Sequence, residues 1–137
     1  MIPWLQLSIY SFSLNKSNSL KSSSEIDDVF KNGQKLSSDF ISLHFIETVE
    51  KKLKVAFSVG KKSHKLASTR NRLKRLMKES FRLNTKDLVD SDAGYNFVFV
   101  YLGSEKVHFI KIEGCMKSLL LSFRKKMLSW KIFICLF

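Results

Sequence analysis

From Lys61 to Arg82 the chain reads KKSHKLASTRNRLKRLMKESFR, and the fold has to be built around this stretch. Lys61, Lys62, Lys65, Arg70, Arg72, Lys74, Arg75, Lys78 and Arg82 stand there against a single acid, Glu79. At about 100° per residue, Leu73, Leu76, Met77, Ser80 and Phe81 share one arc, which is the pattern of a helix packed on a core. The opposite arc holds Asn71, Arg75, Lys78 and Arg82, flanked by Arg70, Arg72 and Lys74. Ser68 or Thr69 is the expected N-cap, and Asn84 the expected C-cap. A merely solvated face mixes Glu with Lys four residues apart. This one instead accepts like-charge repulsion of roughly 0.2–0.5 kcal/mol per pair, so a polyanion is the implied partner.

Upstream of the ridge, Ser22 and Glu25 have the spacing of a capping box, and Ile26, Val29 and Phe30 form one apolar stripe. Asn32-Gly33 ends that helix, expected over Ser23 to Asn32. Asp39 to Glu47 alternates as a strand, with Ile41, Leu43 and Phe45 on its apolar face. Glu47 to Lys52 is expected to turn it into an antiparallel partner at Leu53 to Val59. The small Ala56 and Ser58 leave room for a groove on that partner's second face. Downstream of the ridge, Lys86 to Asp92 is a polar connector. Tyr95 to Leu102 is apolar on both faces and suits a central strand. Phe109 to Leu128 then reads as a helix with Ile112, Met116, Leu119, Leu120 and Phe123 inward. Arg124, Lys125 and Lys126 fall in its last turns, and 128–137 stays unassigned.

The 137 residues bound one domain, with a net charge of +12 and 45% apolar side chains. That apolar share is too high for a disordered basic tail. Residues 51–86 carry 13 basic side chains and one acid. Cys115 and Cys135 lack metal or redox spacing and read as reduced packing residues, and His44, His64 and His108 are too scattered for a zinc site. Met1 to Tyr10 has no basic n-region and is not read as a signal peptide. Ile132 to Phe137 is too short to span a bilayer. An anionic membrane surface would also answer the charge, but the ridge helix needs its apolar face for the core, so no membrane partner is expected. Arginine favours nucleic acid, since its planar fork matches phosphate oxygens and stacks on bases.

The ridge and its flanks resemble the RNR region of the bacterial ribonuclease P protein component. Lys61-Lys62 follows Phe57-Ser58-Val59-Gly60, Arg70-Asn71-Arg72 forms the tripeptide, and Lys74-Arg75 precedes Lys78-Glu79-Ser80-Phe81-Arg82. Leu20-Lys21 and Glu25-Ile26-Asp27-Asp28-Val29-Phe30 with Gly33 fit the family's first helix, so the resemblance spans about Leu20 to Phe123 of a single domain. It implies an α+β sandwich of three helices and a four-stranded sheet with a left-handed βαβ crossover. The fourth strand is expected near Lys35 to Ser38 or in the N-terminal extension.

The resemblance further implies a cytoplasmic accessory subunit of an endoribonuclease whose catalysis resides in RNA. Its partners would be ribonuclease P RNA and precursor tRNA, with Mg²⁺ held mainly by RNA and no catalytic or metal-ligating residue in the protein. Lys61, Lys62, Lys65, Arg70, Asn71, Arg72, Lys74, Arg75, Lys78 and Arg82 would bind RNA. Ile26 and Phe30, with Phe40 and His44, would line a cleft for the 5′ leader. The family usually has an aromatic where Ile26 stands and an arginine where Ser19 stands, and Ile26 serves equally well as core. The alternative is a generic basic RNA-binding or ribosome-associated module without enzymatic assembly.

Overall fold

A computed structural model describes residues 19–50, 52–62, 64–84, 94–103 and 109–136. The elements run α1 (Ser23–Asn32), β1 (Gln34–Ser37), β2 (Ile41–Thr48), β3 (Lys54–Val59), α2 (Ala67–Asn84), β4 (Gly94–Tyr101) and α3 (Phe109–Leu136). The stretches at Met1 to Tyr10 and Lys86 to Asp92 lie outside the described residues.

The four strands form one sheet in the order β1-β2-β4-β3. β2 pairs antiparallel with both β1 and β4, whereas β3 runs parallel to β4. The expected hairpin between β2 and β3 is therefore not formed, because β4 lies between them. β4 is apolar on both faces and gains more by lying inside the sheet, where Phe97, Val98 and Phe99 are all buried. The fourth strand is β1, at one of the two places the sequence allowed.

The hand of the β3-α2-β4 crossover follows from Val55. Its side chain faces the cluster shared with α2 and α3, and its carbonyl accepts from the Leu20 amide at 3.0 Å, away from β4. Seen from the helix side with β3 pointing up, an L-residue facing the viewer directs its carbonyl to the right. Leu20 is thus on the right and β4 on the left, which makes the crossover left-handed, against a right-handed preference of about 98%.

Both sheet faces are occupied. Leu73, Met77 and Phe81 of α2 and Ile112, Met116, Leu119 and Phe123 of α3 pack on Ile41, Leu43, Phe45, Phe97 and Phe99. Phe81 sits 5.9 Å from Phe57 and 5.3 Å from Phe99 between ring centroids. On the other face α1 lays Val29 and Ile26 against Leu20, Val98, Ile46 and Ala56. Gly33 ends α1 by donating its amide to the Val29 carbonyl at 2.9 Å, and a Cβ there would collide with the Val29 and Phe45 carbonyl oxygens.

Several local expectations are corrected. The capping box does not form: Ser22 is the N-cap residue without a side-chain cap bond, its hydroxyl lies 2.9 Å from that of Ser24, and Glu25 reaches Lys54 at 3.8 Å. α2 begins at Ala67, so the expected caps Ser68 and Thr69 already lie within the helix, and Asn84 donates its side-chain amide to the Ser80 carbonyl at 2.8 Å. α3 continues to Leu136, which places Arg124, Lys125 and Lys126 in mid-helix. Its turns past Met127 expose Leu128, Ile132, Phe133 and Leu136, and Cys135 is exposed as well, while Cys115 is buried as expected. Among the described residues no helix is long and apolar enough to cross a membrane.

Phe81 and Ser80 are adjacent and both fully buried, yet they should differ sharply on mutation. Phe81→Ala removes the ring that packs on both β3 and β4 and should cost about 3–5 kcal/mol in urea unfolding. Among the described residues the Ser80 hydroxyl has no hydrogen-bond partner, so Ser80→Ala should leave the midpoint unchanged or raise it.

Candidate nucleic-acid interface

Burying the Leu73-Met77-Phe81 arc turns the basic arc of α2 to solvent. Lys61, Lys62, Lys65, Asn71, Arg72, Arg75 and Lys78 are exposed, and Arg70, Lys74 and Arg82 half-exposed. The sequence-derived RNA residues thus gather on one helix face and the loop before it. Two of them have additional roles. Arg82 pairs with Glu79, its Nε donating to Oε2 at 3.2 Å, and the Arg82 hydrogen bond holds the Glu79 carboxyl below its ordinary range. Arg70 folds back on the chain, Nη1 donating to the carbonyls of His64 at 2.8 Å and Lys65 at 2.9 Å.

A second surface lies on the opposite sheet face. Register places Lys35, His44, Val98 and Ala56 in one row and Ser37, Ser42, Val100 and Ser58 in the next. α1 covers part of the first row. The second is floored by small or short side chains, of which Ser37 and Ser58 are exposed, and at β3 it runs on through Gly60 to Lys61 and Lys62. At the other end Phe30, 45% exposed, stands over His44 with ring centroids 4.7 Å apart and planes at 59°. Ser42 Oγ is 3.4 Å from His44 Nε2. Of the two small residues expected to leave this face open, Ala56 packs under α1, so the expected open face is covered there, and only Ser58 is exposed.

Of the four expected cleft residues, Ile26, Phe30 and His44 share this face. Ile26 is half-buried against the Leu20-Val29-Val98 cluster, so it serves the core. Phe40 does not join them. It precedes β2 and packs edge-on against Tyr101 at 5.6 Å, on the α3 side of the sheet. Sequence reading missed Lys35 and Ser42, which only strand register brings beside His44, and Lys54, whose tie to Glu25 links α1 to β3. Among the described residues no three His, Cys, Asp or Glu side chains are grouped to hold a metal.

By class, the chain is a small α+β domain that presents a cationic helix to solvent on one side and a shallow trough on the other. A family model described as Ribonuclease P matches residues 14–124, and the chain belongs to that family. It is similar to the ribonuclease P protein component of Clostridioides difficile, with 32% identity over 106 residues, 77% of this chain and 90% of that protein. Similarity to the component of Ureaplasma urealyticum is 44% over 63 residues, 46% of this chain and 53% of that protein. The solved RNase P protein from Thermotoga maritima superposes with a TM-score of 0.63 at 25% identity, covering 74% of this chain and 94% of that one. The Staphylococcus aureus RNase P protein shares the fold, with a TM-score of 0.64 at 17% identity over 77% and 94% of the two chains.

Burial first, and the nearby Lys35 second, lower the His44 pKa from 6.5. The unfolded chain therefore takes up this proton before the folded one does. His44's contribution to stability is complete above pH 6.5 and is lost as pH falls toward the lowered value. Since the ring is only partly buried, the step should be small. Thermal melts from pH 7.5 to 5 should show His44→Gln losing less stability on acidification than the parent chain.

Proposed function

We propose that the chain is the protein subunit of a ribonuclease P, binding its catalytic RNA through α2 and the preceding loop and the 5′ leader of precursor tRNA through the trough. The observation that carries this reading is the outward face of α2, an almost acid-free array bearing the Arg70-Asn71-Arg72 tripeptide in a chain of this family. Arg72, Arg75 and Lys78 would neutralise phosphates and release counterions, and Asn71 would bond a phosphate or sugar oxygen. In the trough, Phe30 and His44 offer an aromatic edge on which a leader base would stack, a contact worth about 1–3 kcal/mol. Lys35 at one end and Lys61 and Lys62 at the other would hold the flanking phosphates.

The reaction served is hydrolysis of one phosphodiester to leave a 5′ phosphate on tRNA. In this reading the chain supplies neither the nucleophile nor a Mg²⁺ site, and the metal would lie with RNA and substrate. The protein's part is to raise substrate affinity, position the leader and screen repulsion between two RNAs. The cytoplasm is the compartment that fits this reading.

Added to a bacterial ribonuclease P RNA at low Mg²⁺, the purified chain should increase 5′ cleavage of precursor tRNA. RNA binding without any gain in cleavage would favour the generic RNA-binding module. Phe30→Ala should weaken binding of leader-bearing precursor about 5- to 100-fold while leaving affinity for mature tRNA complexes unchanged.

A further inference from the structure

The loop between β3 and α2 carries Lys61, Lys62 and Lys65, and it has no strand or helix to fix it. It is nevertheless fastened at three points that all involve His64. The His64 amide donates to the Gly60 carbonyl at 3.2 Å. Its ring is buried to 6% exposure, faces Tyr101 at 5.6 Å, and donates from Nε2 to the Gly103 carbonyl at 2.8 Å. Because a carbonyl only accepts, this bond requires a proton on Nε2. Finally, the His64 carbonyl accepts from Arg70 Nη1 at 2.8 Å, and the same nitrogen reaches Lys65 O at 2.9 Å.

We infer that His64 and Arg70 form a clasp that presets the basic loop, so that Arg70 serves RNA binding by positioning Lys61, Lys62 and Lys65 and not as a phosphate ligand of its own. The inference rests on the RNA-binding reading above and deepens it. A lysine-bearing loop that is ordered beforehand loses less freedom on binding than one that is ordered by its partner. Arg70 meets a second requirement at the same time. The carbonyls of His64 and Lys65 precede α2 and have no strand to pair with, and one guanidinium nitrogen takes both. His64 also carries the loop's position to the far end of β4. Gly103 follows Leu102, whose amide donates to Phe40 O at 2.7 Å, so the basic loop is tied to the strand between β2 and β3 as well as to α2.

A positioning role and a direct phosphate ligand differ in salt dependence. Removing one phosphate ligand lowers the slope of log affinity against log salt by about 0.7–0.9, whereas a disordered loop weakens binding at every salt concentration alike. His64→Leu should bind ribonuclease P RNA about 5- to 10-fold more weakly with the slope unchanged, and His64→Gln, which keeps a donor there, should recover most of the affinity. Arg70→Gln should behave like His64→Leu, while Arg72→Gln loses slope. In the RNA-free protein, the amide of residue 64, which is bonded to the Gly60 carbonyl, should exchange hydrogen faster in both clasp variants, with cooperative melting retained. Parent-like affinity in His64→Leu would overturn the clasp, as would an Arg70→Gln slope that falls as far as that of Arg72→Gln. If the parent chain fails to bind RNA, the functional reading falls, and the exchange measurement alone judges the clasp: unchanged protection in His64→Leu overturns it.

Discussion

Phe81, set against Phe57 of β3 and Phe99 of β4, makes the packing on which the rest of the molecule depends. It joins the parallel pair to the helix that connects them, and so fixes α2 by rotation as well as by position. In an α-helix the apolar and basic arcs are bound to opposite sides by the backbone repeat. Once Leu73, Met77 and Phe81 are inside, Asn71, Arg75 and Lys78 have no other direction than outward. The charge is tolerable there because water screens it, and the repulsion that remains is an incentive to bind a polyanion.

The same packing explains how a left-handed crossover is stable. The general preference for right-handed units comes from the way a twisted strand feeds a helix back onto the sheet, and its cost is spread over the connection. Here the connection is fastened locally. His64 ties it to Gly103, Arg70 ties it to itself, and three aromatic rings meet at the helix's far end. The bonds that hold the unusual hand are thus the bonds that shape the basic loop.

Much of the fold is legible from residue order alone, and what is not shares one cause. α1, the central character of β4, the inward stripe of α3 and the two faces of α2 follow from periodicity, which is a local property. A hairpin between β2 and β3 is suggested by Glu47 to Lys52, which has the composition of a tight turn. What decides against it is the two-sided apolarity of Tyr95 to Tyr101, some 40 residues away. The functional residues divide in the same way. Arg75 and Lys78 lie on the outward arc with Arg72 on its flank, and all three need only the helical repeat. Arg70 belongs to the same tripeptide, yet its bonds go to carbonyls of a loop with no period. Phe40 alternates correctly with Ser42 and His44 but precedes the strand, where alternation does not bind it. Lys35 becomes a neighbour of His44 only through the register of a four-residue strand that carries no signal of its own.

The two candidate surfaces lie on opposite faces of one sheet, and β3 is where they meet. Ser58 opens on the trough, Val59 is buried on the α2 side, and the chain then passes Gly60 into Lys61 and Lys62. Among the described residues the sheet beyond β3 has only the short parallel bridge of Ser19 with Val55, so the β3 edge is the shortest way from ridge to trough. A nucleic acid held on both surfaces would turn around that edge, where Lys61 and Lys62 are exposed and within the clasped loop. This gives the loop a more demanding task than adding charge. Lysines that serve both faces must keep their place relative to each, and a loop tied to β4 at Gly103 and to α2 at Arg70 is fixed to both.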